Sequence, residues 1–298
     1  MYSFLRKNLG ILFILQTNFC AATEIDSFTL RDPNLKDSTA EINNIMNNYI
    51  QESIRYAQGW HTCDEEKFID DLHQRMGGFF WSNFENTVSS SSQLSSHSIA
   101  LSQSIFQDFS FFLAPALYLA RLGTILRVGK YFIGSDKFSH FISEGYSYYK
   151  ILKDKDKSLK DALTFGENTE KTYFGMNLTG IYSHADLVAN YEGFRGFWQK
   201  LISTGETREN TYVGCKNNTY YQIKLFDWSE HINAGWDEGI NCNIYRTASL
   251  EDQALKRIKI LEQARGVPLT CPIEPADCNK LVGLYQDIAY RLLSPKCF

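Results

Sequence analysis

No apolar stretch beyond the first two dozen residues is long enough to cross a bilayer. The longest, Phe109 to Ala120, runs without a charge but is interrupted by Pro115 and stopped by Arg121, well short of the roughly 20 residues a helical span needs. It reads as a buried helix, and no transmembrane span is expected. Basic charge is not in surplus either, since 30 Lys and Arg stand against 34 Asp and Glu. The chain lacks the electrostatic footprint of a nucleic-acid partner, and no general attraction to anionic lipid follows from it. No two cysteines stand in a C-x-x-C arrangement, which argues against a thiolate zinc site.

What is present begins with an export signal. Arg6 and Lys7, the apolar Leu9 to Leu15 and the small-residue Cys20-Ala21-Ala22 read as a signal peptide over residues 1–22. An exported chain, periplasmic or extracellular, is expected, with its mature start near Thr23. Asn18 and Phe19 before Cys20 disfavour a lipid anchor. The remaining cysteines, Cys63, Cys215, Cys242, Cys271, Cys278 and Cys297, are even in number. In an exported chain that predicts up to three disulfides, with fifteen pairings open.

A chain of 298 residues is one large domain or two modest ones. Its pattern divides into a helical segment over 23–88, a Ser-rich loop over 89–98, a central helical core over 99–205 and a cysteine-containing region over 206–298. Ser38-Thr39-Ala40-Glu41 reads as a capping box opening a helix with Ile42, Met46 and Ile50 on one face. A second helix runs from about Asp64 to Met76. Thr211 to Leu225 alternates around Lys216-Asn217-Asn218 as a hairpin, and later helices are expected over about 250–264 and 275–293. The fold class is mainly α (α+β): a helical core with a small central β-hairpin, and a disulfide-stapled C-terminal helical region holding the second hairpin.

The densest mixture of ionisable, aromatic and glycine residues lies between Gly134 and Trp198. Ser135 caps a helix that starts at Asp136 and places His140 and Glu144 four apart on one face, one turn from each other. Amid Phe138, Phe141, Ile142, Tyr148 and Tyr149 such a pair is partly desolvated. It can be a structural hydrogen bond, a proton donor and acceptor, or two ligands of a metal whose third would be His184, Glu167 or Glu170. The leading expectation includes no metal and no cofactor. Ser158 opens a second helix that ends in Glu167 and Glu170. Lys171 to Tyr182 then reads as a hairpin punctuated by Gly175 and Gly180, and Ser183-His184-Ala185-Asp186 caps a third helix.

A glutamate at a helix end, a small glycine-bearing hairpin and a following helix resemble the lysozyme superfamily, including phage-type and chitosanase-like glycosidases, over residues 158–190. The resemblance implies that Glu170, with Glu167 next in line, is the general acid protonating the glycosidic oxygen. It places Ser183 and Asp186 on the cleft wall, with Tyr148, Tyr149, Tyr173 and Tyr182 as rings for sugars to stack on. No acidic residue lies between Glu170 and Asp186. The second carboxylate would therefore come from Glu144, or the enzyme would be a lytic transglycosylase that needs one, or the likeness is structural only. The implied substrate is a cell-wall glycan. The segment Asp136-Lys137-Phe138-Ser139-His140-Phe141 also resembles the D-K-x-x-H helix start of VanZ-like membrane proteins. The competing expectations are a non-catalytic envelope binding protein and a metal-dependent hydrolase using His140 and Glu144.

Overall fold

The computed structural model describes residues 24–78, 82–172, 175–204 and 210–298. Residues 1–22, read from the sequence as a signal peptide, and Tyr173 lie outside the described residues. Helix α1 (Thr39–Ala57) buries Ile42, Met46, Ile50 and Ile54 along one stripe, as its periodicity predicts. Its start differs, because Ser38 makes no side-chain cap and the Asp37 carboxylate takes the Thr39 amide instead, at 3.0 Å. Helix α2 (Glu65–Met76) is capped by Asp64, which accepts from the Lys67 amide at 2.9 Å, and α3 (Asn83–Ser90) by Ser82. Of the Ser-rich stretch, Ser89 and Ser90 finish α3 and Ser96–His97 form β1.

The apolar run over 109–120 corrects an expectation. Only α4 (Pro115–Leu119) is helical there, and Phe112 is 87% and Leu119 70% exposed. Strands β2 (Ile125–Val128) and β3 (Tyr131–Gly134) make an antiparallel hairpin to which β1 adds. From Gly134 the chain passes directly into α5 (Asp136–Ser139), a single wide π turn (His140–Glu144) and α6 (Gly145–Lys153). Helix α7 (Leu159–Lys171) opens where the Ser158 amide donates to Asp161, 2.8 Å away.

The expected hairpin over 171–182 is not formed by the described residues. Residues 175–180 are turn, and β4 (Ile181–Tyr182) pairs with the distant β8 (Ile244–Tyr245). Helix α8 (His184–Glu192) runs on into a second wide π turn, Gly193–Phe197. Strand β5 (Ile202–Ser203) lies parallel to β6 (Val213–Lys216), which pairs with β7 (Thr219–Gln222). That last pair is the hairpin read from the sequence, turned by Asn217 and Asn218 at positive φ. Helix α9 (Ala248–Arg265) is ended by Gly266. The expected final helix is broken at Gln286 into α10 (Pro275–Tyr285) and α11 (Ala289–Leu292).

The architecture is thus mainly helical with small sheets, and three disulfides staple it: Cys63 to Cys215, Cys242 to Cys271 and Cys278 to Cys297. The largest apolar cluster joins α1 and α2 to α5, α6, α8 and the C-terminal helices, with Trp198, Trp228 and Trp236 fully buried in it. At its centre the two π-turned helices cross. The Gly145 Cα is so close that an added Cβ would sit 2.9 Å from the Gly193 backbone, so only glycines permit the approach.

Candidate active site: a buried ionic cluster

The two crossing helices bring their polar residues together. Helix α5 contributes Asp136 and Lys137 from its first turn, and the wide turn that follows contributes His140. Helix α8 contributes Ser183, whose hydroxyl accepts the Asp186 amide at 3.3 Å as an N-cap, together with Asp186 and Asn190. Asp186 therefore stands at the positive end of a helix dipole. Glu170 enters from the last turn of α7, Glu238 from the loop before β8, and Glu24 from the start of the described chain.

Lys137, fully buried, is the hub. Its Nζ lies 2.8 Å from Asp136 Oδ2, 2.6 Å from Asp186 Oδ1 and 2.5 Å from Glu238 Oε1. Ser183 Oγ sits 3.0 Å from Asp186 Oδ1 and 3.1 Å from Glu238 Oε1, and the Asn243 amide donates to Glu238 Oε2 at 2.9 Å. The other oxygen of Asp186, Oδ2, is 3.0 Å from His140 Nε2, while His140 Nδ1 is 3.1 Å from the Asn190 side-chain amide. Glu170 Oε2 takes the Ser183 amide at 3.4 Å, and its Oε1 is buried without a hydrogen-bond partner. Donor atoms of His140, Glu170 and Asp186 lie within 4.8 Å of one another, and so do those of Glu24, Asp136 and Glu238.

Burial and charge divide these groups into two sets. Burial opposes the charge of Lys137, but Asp136, Asp186, Glu238 and Glu24 outweigh it and hold the ammonium well above an ordinary lysine. Burial likewise works against the His140 imidazolium, yet the charge and hydrogen bond of Asp186 push it up to about 10. Burial would raise Asp186, but His140 and Lys137 hold it well below the usual carboxylate range. Glu170 goes the other way: burial first, then the neighbouring Asp186 charge, raise it well above its ordinary value. Glu24 is raised by burial and by Glu238, and burial brings Glu238 to about 7. The cluster thus sets an Asp186 carboxylate favoured in its ionised form by two cations beside a Glu170 whose burial favours the protonated form.

Several residues singled out in the sequence meet here, and several do not. His140, Glu170, Ser183 and Asp186 converge. His140 does not pair with Glu144 as expected; it takes the Asp186 carboxylate across the helix crossing. Glu144 is half-buried with Oε2 covered and unpartnered, and desolvation raises its carboxyl. Glu167 points away from Glu170 into an ion pair with Arg291, 2.6 Å long. His184 packs on the Tyr182 ring with centroids 5.1 Å apart, and burial lowers it to about 4. Tyr148, Tyr149 and Tyr182 are buried in the core. Lys137 enters the sequence reading only through the likeness of Asp136 to Phe141 to a D-K-x-x-H helix start, and Glu238, Glu24 and Asn190 do not enter it. Nothing local marks Glu238 or Glu24. Comparisons with known protein families, with curated proteins and with solved structures find no match to this chain.

Proposed function

We propose that the chain is an exported hydrolase cleaving glycosidic bonds of peptidoglycan or a related amino-sugar polymer, with Glu170 as general acid. The observation that carries the reading is the pair formed by Glu170 and Asp186: two carboxyl groups with oxygens within 4.8 Å, one whose proton is favoured by burial and the other whose ionised form is favoured by two cations. That division of labour is what acid-catalysed glycoside cleavage requires. Glu170 gives its proton to the glycosidic oxygen, and Asp186 offsets the positive charge that develops on the sugar ring. With one oxygen on Lys137 and the other on His140, Asp186 serves as an electrostatic partner. Glu144, read as a helper from the sequence, closes the wide turn that carries His140 and makes no contact with Glu170 or Asp186 among the hydrogen bonds and ion pairs of the described residues. Three disulfides fit an oxidising compartment.

Glu170 is 2% exposed, beneath the 175–180 turn, where a Cβ at Gly175 would lie 2.9 Å from Glu170 Oε2. The test is turnover of acetylated and deacetylated peptidoglycan by the wild type and by Glu170→Gln, with folding checked by circular dichroism. A loss of about 100-fold or more is expected for an essential acid, and equal turnover overturns the assignment. A non-catalytic envelope interaction protein is the second reading, favoured by the exposed rings of Phe111, Phe112 and Tyr118. It predicts that Glu170→Gln leaves the biological role intact.

A further inference from the structure

The two carboxylate groupings around Lys137 are filled differently. Asp136 and Glu238 already have a built-in cation, the Lys137 ammonium at 2.8 and 2.5 Å. In the grouping of His140, Asp186 and Glu170 the charge facing the carboxylates is the His140 imidazole itself, and Lys137 reaches only Asp186 Oδ1. There His140 Nε2 and Asp186 Oδ2 face each other at 3.0 Å, beside Glu170, and each of the three side chains has its other polar atom held from behind. His140 Nδ1 is met by Asn190 at 3.1 Å, so that Nε2 is the nitrogen turned to Asp186. Asp186 Oδ1 is held by Lys137 at 2.6 Å and Ser183 at 3.0 Å, so that Oδ2 is the oxygen turned to His140. Glu170 Oε2 takes the Ser183 amide at 3.4 Å, leaving Oε1, which has no hydrogen-bond partner in a residue 2% exposed.

We infer that His140, Asp186 and Glu170 form a binding site for a divalent cation of the zinc class. One imidazole nitrogen and two carboxylate oxygens are a ligand set such ions take, with a fourth position left for water. Lys137, Ser183 and Asn190 supply the outer contacts that orient metal ligands. An unpartnered carboxylate oxygen in a buried setting is costly unless something coordinates it. Binding takes Glu170 and His140 in their deprotonated forms, as metal ligation requires. Resting on the hydrolase reading above, this makes the ion an inhibitor, since a metal-bound Glu170 has no proton to give.

Binding is measured without substrate, by titrating the disulfide-bonded mature chain with zinc ion against a chromophoric chelator, and by the visible spectrum of the cobalt-substituted protein. One equivalent is expected, with a tetrahedral-type cobalt spectrum. Glu170→Gln and His140→Gln should abolish it, and the outer-contact variant Asn190→Ala should weaken it about tenfold or more. No binding by the folded wild type, or binding unchanged in both Gln variants, overturns the site. Should a Gln variant fail to fold, the cobalt spectrum of the wild type and the Asn190→Ala affinity decide. Turnover is then assayed with and without zinc ion. Zinc bound at the site with no glycan turnover under any condition defeats the hydrolase reading alone, whereas full turnover by the zinc-loaded protein defeats the inhibitory role.

Discussion

At Lys137 one ammonium settles the charge of carboxylates that arrive from three separate parts of the chain. Buried pairs of this kind add little net stability, but deleting one partner strands the rest, typically at a cost of about 3–5 kcal/mol. Glu85 nearby shows the converse case. It is buried and accepts a hydrogen bond from Ser139. Burial pushes it up to about 8 from its ordinary 4.5, with the Asp136 charge adding to the rise and the Ser139 bond, His140 and Lys137 opposing it. The folded chain thus keeps a proton that the unfolded chain releases. Stability from this group is unaffected below pH 4.5, falls as pH rises toward 8, and levels off above. Urea denaturation across that range should show Glu85→Gln gaining on the wild type by a few kcal/mol between pH 5 and 8. Parallel pH curves for the two proteins would contradict the assignment. At this scale the sequence revealed His140, Glu170, Ser183 and Asp186 as candidates, because caps and helix ends are local features. It did not reveal their partners: the pairing of His140 with Glu144 obeyed the helix spacing, yet Asp186 on another helix was closer.

At the scale of elements, the crossing of the two π-turned helices decides the geometry of the site. The wide turns at His140–Glu144 and Gly193–Phe197 lie beside each other, and such turns often mark functional positions in helices. A Cβ on Gly193 would fall within contact distance of the Phe141 carbonyl oxygen. Gly193→Ala should therefore push the helices apart, lowering stability by roughly 1–3 kcal/mol and weakening the contact between His140 and Asp186. Thermal unfolding reads the first effect, and the titration of His140 by NMR the second, as a fall from about 10. An unchanged melting temperature would show that the crossing is not tight. Most helices were legible from their apolar stripes and caps, and the β6–β7 hairpin from its Asn-Asn turn. The hairpin expected over 171–182 was not formed, because its glycines and alternation are equally compatible with a turn followed by a strand whose partner, β8, is remote. The apolar run at 109–120 misled for a similar reason: hydrophobic content without amphipathic period does not say which side is covered.

Over the whole molecule, the disulfides join parts that the chain order keeps apart. Cys63 and Cys215 are 152 residues apart, Cys242 and Cys271 are 29, and Cys278 and Cys297 are 19. If each acts chiefly by restricting the unfolded chain, replacing the first pair by alanines should cost about 4–5 kcal/mol and the last about 3 kcal/mol. Guanidinium unfolding of the two double variants tests the order, and a larger loss for the Cys278 and Cys297 pair would refute the chain-entropy account. An even set of cysteines, the helical periods and the absence of a long apolar run were all written in the linear chain, because each depends on composition or on residues a few positions apart. Which cysteine met which, which carboxylate took the imidazole, and that Glu238 and Glu24 would close around Lys137 were settled only by the tertiary fold. Those contacts link residues far apart in sequence, where no spacing rule operates and only the shared burial of the helices selects the partner.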